Sequence, residues 1–159
     1  MKTIKKLFTK EGFLSIFLVY SLCLGASYWT HRSIGPWYYV LNKSPYNPPS
    51  IVFMVVWPVL YTFMGLALGT LWSIKKSLKF KALGLFFLQL GFNLLWPYIF
   101  FKQKDITLAF GVLSILWAAL TFTQVFYFVN ARRAFWLLIP YWLWVSFALY
   151  LNYFIFTHN

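Results

Sequence analysis

Five apolar runs separated by short polar or basic connections decide what this chain can fold into: residues 12–30, 51–74, 82–101, 106–129 and 134–156. A helix rising about 1.5 Å per residue needs roughly 17–25 apolar residues to cross ~30 Å of hydrocarbon, and each run has that length. None alternates with period two over any distance, which argues against a transmembrane barrel. Helices satisfy their own backbone hydrogen bonds, so Pro58, Pro97 and Pro140 are tolerable within the runs. The expectation is an all-α integral membrane bundle of five transmembrane helices, forming a single domain over residues 1–159.

Composition supports this and removes other classes. Charged residues make up 10% of the 159 and hydrophobic ones 62%, against about a quarter charged in soluble domains. Fourteen Lys and Arg face only Glu11 and Asp105, giving a formal charge of +12. A nucleic-acid footprint needs a clustered basic face. Here the cations sit in patches between apolar runs, so anionic lipid headgroups are the expected counter-charge and nucleic acid is not an expected partner. The basic start, Met1 to Lys10, resembles a signal-peptide n-region, but the apolar run behind it is too long, so a retained first helix is expected. Cys23 is the single cysteine, which leaves no disulfide framework or metal-spaced set.

Orientation follows from the basic residues. With the amino terminus in the cytoplasm, the inner segments hold ten cations: Lys2, Lys5, Lys6, Lys10, Lys75, Lys76, Lys79, Lys81, Arg132 and Arg133. The outer segments hold Arg32, Lys43, Lys102 and Lys104. Ten against four predicts a multi-pass cell-membrane protein with the amino terminus inside. Gly65 and Gly69 share a helix face and invite a close helix contact, in a dimer or within the bundle. Ser114 and Ala118 form a weaker small pair.

Polar residues at mid-span carry the functional information, because hydrocarbon makes unpaired polar groups costly. Gln89, Asn93, Trp96 and Phe100 fall within roughly 60° of arc at about 100° per residue. Phe53, Trp57, Leu60 and Met64 share a face, with Tyr61 beside it. Tyr141, Trp144, Ala148 and Asn152 lie within about 80°. The amides and rings can serve as interhelical packing, or they can line a pocket for a flat apolar ligand. Trp29, Trp37, Trp72 and Trp136 read as interface residues, and Trp117 and Trp142 as facing lipid.

No ionisable side chain occupies a helix centre, which disfavours an ion pathway. His31 and His158 belong to the outer boundary, where haem ligation is the less favoured reading. There is no Ser/His/Asp set, metal cluster or glycine-rich phosphate loop, so no catalytic residue is assigned and no metal or required cofactor is expected. No internal repeat of the transporter kind is visible.

Several spaced stretches carry a family resemblance: Trp37-Tyr-x-x-Leu41, Lys43-Ser-Pro-Tyr-Asn-Pro-Pro49 and Val56-Trp-x-x-Leu-Tyr-x-x-Met-Gly65. Further along come Gln89-Leu-x-x-Asn-x-x-Trp96, Phe100-Phe101 and Pro140-Tyr-x-x-Trp-x-x-Phe-Ala-x-x-Leu-Asn152. Together they resemble the tryptophan-rich sensory protein / mitochondrial benzodiazepine receptor family, also called the translocator protein family. The resemblance covers about Trp37 to Asn152. It implies a compact five-helix bundle, commonly dimeric, that binds porphyrin-like tetrapyrroles, with porphyrin or haem as a possible ligand. It places the pocket on Trp57, Asn93, Trp96, Trp144 and Ala148, beneath a loop carrying Pro48 and Pro49. Phe53, Gln89 and Tyr141 join these from the helix faces read above. Tyr46 stands where the loop pattern has Trp, so the cap keeps a ring of smaller area. The Tyr-to-basic pattern of sterol contact is missing after Tyr153, which counts against a sterol role.

The leading expectation is therefore a membrane receptor or carrier for a flat tetrapyrrole, with Lys43 or Arg32 reaching its carboxylates. A light- or oxygen-dependent enzyme that breaks down porphyrin would use the same residues. A regulatory protein read by a partner through Gly65/Gly69 or the basic inner loops is the third reading.

Overall fold

The computed structural model describes residues 9–33 and 35–159, without the side chains at 26, 27, 29 and 31–33. Lys2, Lys5 and Lys6 of the charge count, and the side chains of Trp29, His31 and Arg32, lie outside the described residues. Among those described there are no strands. The long helices are α1 (Lys10–Ser33), α3 (Ser50–Leu71), α4 (Lys76–Pro97), α5 (Ile106–Asn130) and α6 (Arg132–His158). A short helix α2 (Pro36–Val40) sits between the first two, and a π-helical segment (Tyr98–Gln103) extends α4.

Local chemistry accounts for the helix ends. The Thr9 hydroxyl accepts from the Gly12 N–H at 3.2 Å, with Glu11 in the first turn of α1 against the positive end of the helix dipole. Asp105 caps α5 by accepting from the Leu108 N–H at 2.8 Å. Pro48 and Pro49 end the loop in extended backbone, and α3 begins at the next residue. Lys104, at φ 59°, closes the π turn with its N–H on the Ile99 carbonyl.

Four stretches, Ser50–Leu71, Lys76–Gln103, Ile106–Asn130 and Arg132–His158, are long and apolar enough to cross a membrane. The protein is thus a multi-pass helical membrane protein, and the expected count of five spans is met for four. α1 has 24 residues. The third helix begins at Lys76 rather than at residue 82. Lysine is a good helix former whose long stem lets the ammonium stay in water, so a basic first turn need not interrupt a helix.

The bundle closes as a ring: α1 packs on α3, α3 on α6, α6 on α5, α5 on α4, and α4 with its π extension back on α1. The α1–α3 contact is the tightest. A Cβ built on Gly65 would lie 2.4 Å from the Ile16 Cα, and one on Gly69 2.7 Å from the Gly12 Cα. The glycine pair therefore serves a contact inside the bundle, and a larger residue at either position would push the two helices apart. Beside it, the Tyr20 hydroxyl donates to the Pro58 carbonyl at 2.7 Å and meets the Thr62 hydroxyl at 3.0 Å. Thr62 also donates to the Pro58 carbonyl at 2.9 Å.

The α5–α6 contact is a reciprocal clasp. The Trp117 indole donates to the Ser146 hydroxyl at 2.9 Å, and Ser146 donates to the Trp142 carbonyl at 2.9 Å. The Trp142 indole donates to the Thr121 hydroxyl at 2.9 Å, and Thr121 donates to the Trp117 carbonyl at 2.8 Å. This corrects the lipid-facing expectation for Trp117 and Trp142: both are half-buried and bind across the helix pair. Trp72 likewise donates to the Ser15 hydroxyl at 3.2 Å, adding a tie between α1 and the end of α3. Trp136 is exposed.

At the end of the bundle that carries α2 a second apolar cluster forms from Leu41, Ile99, Phe100, Phe101, Ala109, Val112 and Ile155. Trp37 and Tyr38 of α2 pack on it, with ring centroids 5.6 and 6.3 Å from Phe100. The loop behind α2 is fastened to the end of α6. The Asn42 N–H donates to the Asn159 side-chain oxygen at 2.8 Å, and the Asn159 amide donates to the Asn42 carbonyl at 3.1 Å. The Asn42 amide completes the latch by donating to the His158 carbonyl at 2.9 Å.

Candidate ligand site

Among the described residues, some indole N–H groups have acceptors and some buried ones do not. Trp72, Trp117 and Trp142 have hydroxyl acceptors. Trp96 and Trp144 keep their indole N–H groups buried with no acceptor. In the same condition are both amide atoms of Gln89 and of Gln124, the Tyr141 hydroxyl and the Asn152 side-chain oxygen. Gln89 and Tyr141 are 0% exposed, Asn152 2% and Gln124 6%. Leaving a buried polar group unpaired costs about 1–3 kcal/mol, and native interiors show few such groups. They are concentrated on α4, α5 and α6.

The sequence-selected residues converge here in part. Gln89 and Asn93 are buried one turn apart on α4, and Trp96 follows them. Trp96 stacks on Phe100 at 5.0 Å and 15°, with Phe101 edge-on at 5.8 Å. The π turn makes this possible, because it brings Ile99, Phe100 and Phe101 inward in succession. On α6, Tyr141 faces Asn93, Tyr61 and Cys23, and Asn93 approaches its hydroxyl without reaching hydrogen-bond geometry. Trp144 meets Phe53 of α3 edge-on at 5.6 Å, and half-buried Ala148 lies one turn beyond it. Trp57 packs against Tyr61 at 5.4 Å on the same core.

The loop residues are placed differently from one another. Pro48 is half-buried, while Pro49 is exposed. Tyr46 is 73% exposed, its ring 6.4 Å from that of Tyr150. The loop is held there by Ser44, whose hydroxyl pairs with the Tyr150 hydroxyl at 3.2 Å. Lys43 turns back on its own segment: its ammonium donates to the Tyr38 carbonyl at 2.6 Å and sits 4.5 Å from the Tyr38 ring centroid. Burial pushes the Tyr38 phenol above its ordinary pKa, opposed by a hydrogen bond with Asn47. His158 stacks flat on Phe154 at 3.9 Å, with Nδ1 against the Phe154 carbonyl at 2.9 Å.

Gln124 was missed by the sequence reading. It sits on the buried face of α5 with Leu120, Thr123 and Tyr127. The same rule that selected Gln89, an amide within an apolar run, applies to it, although it lies nearer the end of its helix than the middle. The neighbouring Thr123 is paired, donating to the Ala119 carbonyl at 2.7 Å. Tyr127 is also paired, donating to the Ala82 carbonyl at 2.7 Å. Gln124 alone on this stretch is left open. Among the described residues no three His, Cys, Asp or Glu side chains gather as metal ligands.

What fold and site define is a multi-pass helical membrane protein with aromatic rings and side-chain amides in its interior and a loop latched to the end of α6. The chain belongs to the TspO/MBR family, whose model matches residues 14–157. It is similar to "Tryptophan-rich protein TspO" of Chlorobaculum tepidum, 34% identical over 92% of this chain and 96% of that one. It is also similar to "Tryptophan-rich sensory protein" of Cereibacter sphaeroides, 33% identical over 87% of this chain and 88% of the relative. "Translocator protein" of Homo sapiens is 33% identical over 86% of this chain and 83% of its own length.

Proposed function

We propose that the protein is a cell-membrane receptor or carrier for a porphyrin-like tetrapyrrole, bound among α3, α4 and α6. The observation that carries the reading is the set of buried, unpartnered donors and acceptors on Trp96, Trp144, Gln89, Tyr141 and Asn152. They stand among large rings that supply flat apolar area. Family membership and relatives named for sensing and translocation support the same reading.

In this arrangement the macrocycle lies against Trp57, Trp96 and Trp144, with Asn93 and Gln89 at a polar edge and Ala148 leaving room for the ring. Pro48, Pro49 and Tyr46 border the entrance from the latched loop. α1, with 24 residues, crosses as a fifth span, and the basic inner connections hold the amino terminus in the cytoplasm. A homodimer uses a face other than Gly65 and Gly69, which α1 already covers.

Titration of the purified protein in detergent with protoporphyrin IX, followed by tryptophan fluorescence, is the direct test. Saturable quenching that weakens when Trp57 and Trp144 are replaced is expected. Quenching that never saturates, or ignores both replacements, refutes the assignment. The contact of Trp57 with Tyr61, and of Tyr61 with Cys23, places oxidisable side chains in series beside the same site, which favours light-driven ligand breakdown as the second reading. An oxygen-dependent product whose formation falls when Trp57 is replaced would support that reading. Bleaching equal to that of free porphyrin in detergent would end it.

A further inference from the structure

Resting on the receptor reading above, we propose that Gln124 forms a second, inner polar pole of the ligand site, taking a group that presents a hydrogen-bond donor and acceptor side by side: a carboxylic acid or a lactam.

Three observations meet at this residue. Its amide oxygen and nitrogen are both buried without a partner, on a side chain 6% exposed. Its depth is fixed by the α5–α6 clasp: the Trp117–Ser146 and Trp142–Thr121 bonds set a register that puts Gln124 opposite Leu138 to Pro140. That is about five residues inward of Trp144, or ~8 Å along the helix axis. Gln89 on α4 is, among the described residues, the other side chain whose amide oxygen and nitrogen are both buried without a partner. The Tyr127-to-Ala82 bond sets the α4–α5 register and leaves Gln89 about one turn outward of Gln124.

The chemistry follows from the amide itself. A primary amide offers one acceptor and two donors, and its cis edge pairs with a carboxylic acid or lactam through two parallel hydrogen bonds. An ester offers only acceptors and forms one. A cation partner is not called for, since a neutral acid suffices in a buried site. The outer lysine described above is already committed to Tyr38. A ligand reaching both poles is flat, apolar along its middle, and hydrogen-bonding at two ends.

The test compares wild type, Gln124→Leu, Gln124→Met and Trp144→Leu in detergent. Protoporphyrin IX supplies acid edges, its dimethyl ester removes their donors, and a dipyrrinone methyl ester supplies a lactam edge. Loss of two hydrogen bonds is expected to weaken the acid or the lactam probe about tenfold in both Gln124 variants. The diester, which can form only one of the two bonds, should lose less affinity than the acid in both variants. Which probe loses affinity identifies the edge. The thermal midpoint of the unliganded variants should equal or exceed that of wild type, because an unpaired amide is replaced by an apolar group of similar size. Variants that bind both probes within twofold of wild type, while Trp144→Leu weakens binding, overturn the inner pole and leave the receptor reading standing. A midpoint below wild type in both variants also overturns it, since the amide is then satisfied within the fold. Absence of saturable binding to wild type by either probe removes the receptor reading and this inference with it.

Discussion

Replacing Gly65 with alanine separates a contact inside the bundle from a contact between protomers. The added methyl would stand 2.4 Å from the Ile16 Cα and 2.7 Å from Ile16 Cγ1. Ordinary carbon–carbon contact begins near 3.5 Å, so the shortfall is about 1 Å and the obstacle is backbone. The side chain cannot rotate away, and α1 must move off α3. Overpacking of this kind costs about 1–3 kcal/mol, against a gain of up to ~1 kcal/mol from the better helix propensity of alanine. The net expectation is a loss of about 1–2 kcal/mol, with Gly69→Ala somewhat milder because its nearest atom is at 2.7 Å. Gly84→Ala and Gly91→Ala are the controls, since nothing lies within 4 Å of either added methyl. They should be neutral or stabilising by up to ~1 kcal/mol. Reversible unfolding in mixed micelles, with denaturant titrated at constant detergent, gives the four values. If Gly65→Ala unfolds like Gly84→Ala but shifts the protein from dimer to monomer in cross-linking, the glycines serve an interface between copies and the packing argument fails.

Other expectations are narrower. Trp142→Phe keeps most of the ring but loses the bond to Thr121, so stability should fall by about 1 kcal/mol. Combined with Ser146→Ala, that loss should be less than additive, because each change opens the same clasp; strict additivity in a double-mutant cycle would argue against it. Gln89→Leu should leave the unliganded protein as stable as wild type or more so, while weakening protoporphyrin binding several-fold; a clear drop in stability would mean that the amide has a partner in the fold. Ala148→Phe should reduce protoporphyrin affinity about tenfold or more by filling the space beside Trp144, and unchanged affinity in the fluorescence titration would remove Ala148 from the site.

Much of the helical plan was legible because hydrocarbon imposes it. Runs expected at 51–74, 106–129 and 134–156 appear as Ser50–Leu71, Ile106–Asn130 and Arg132–His158. The differences sit where apolarity stops being the relevant signal. Lys76 to Lys81 are helical although basic, and Tyr98 to Gln103 wind as a π turn that no residue pattern announced. The stripe on α4 was readable from spacing, since an amide in hydrocarbon must turn inward, toward another helix or a ligand. Trp117 and Trp142 were misread because indole rings suit lipid as well as protein. The missed signal was a hydroxyl four residues after each, Thr121 and Ser146, on two antiparallel helices. Gln124 escaped because it lies near the end of its run, away from the mid-span positions that drew the reading. The side of the bundle served by Gly65 and Gly69 could not be read at all, because a small-residue face states that something approaches closely and not which helix does so.

The latch between Asn42 and Asn159 has a practical consequence for making the protein. Polypeptide fused after Asn159 would leave from the residue that fastens the loop between α2 and α3, so a tag placed there pulls on that fastening. A tag placed ahead of α1 does not join the chain at that fastening.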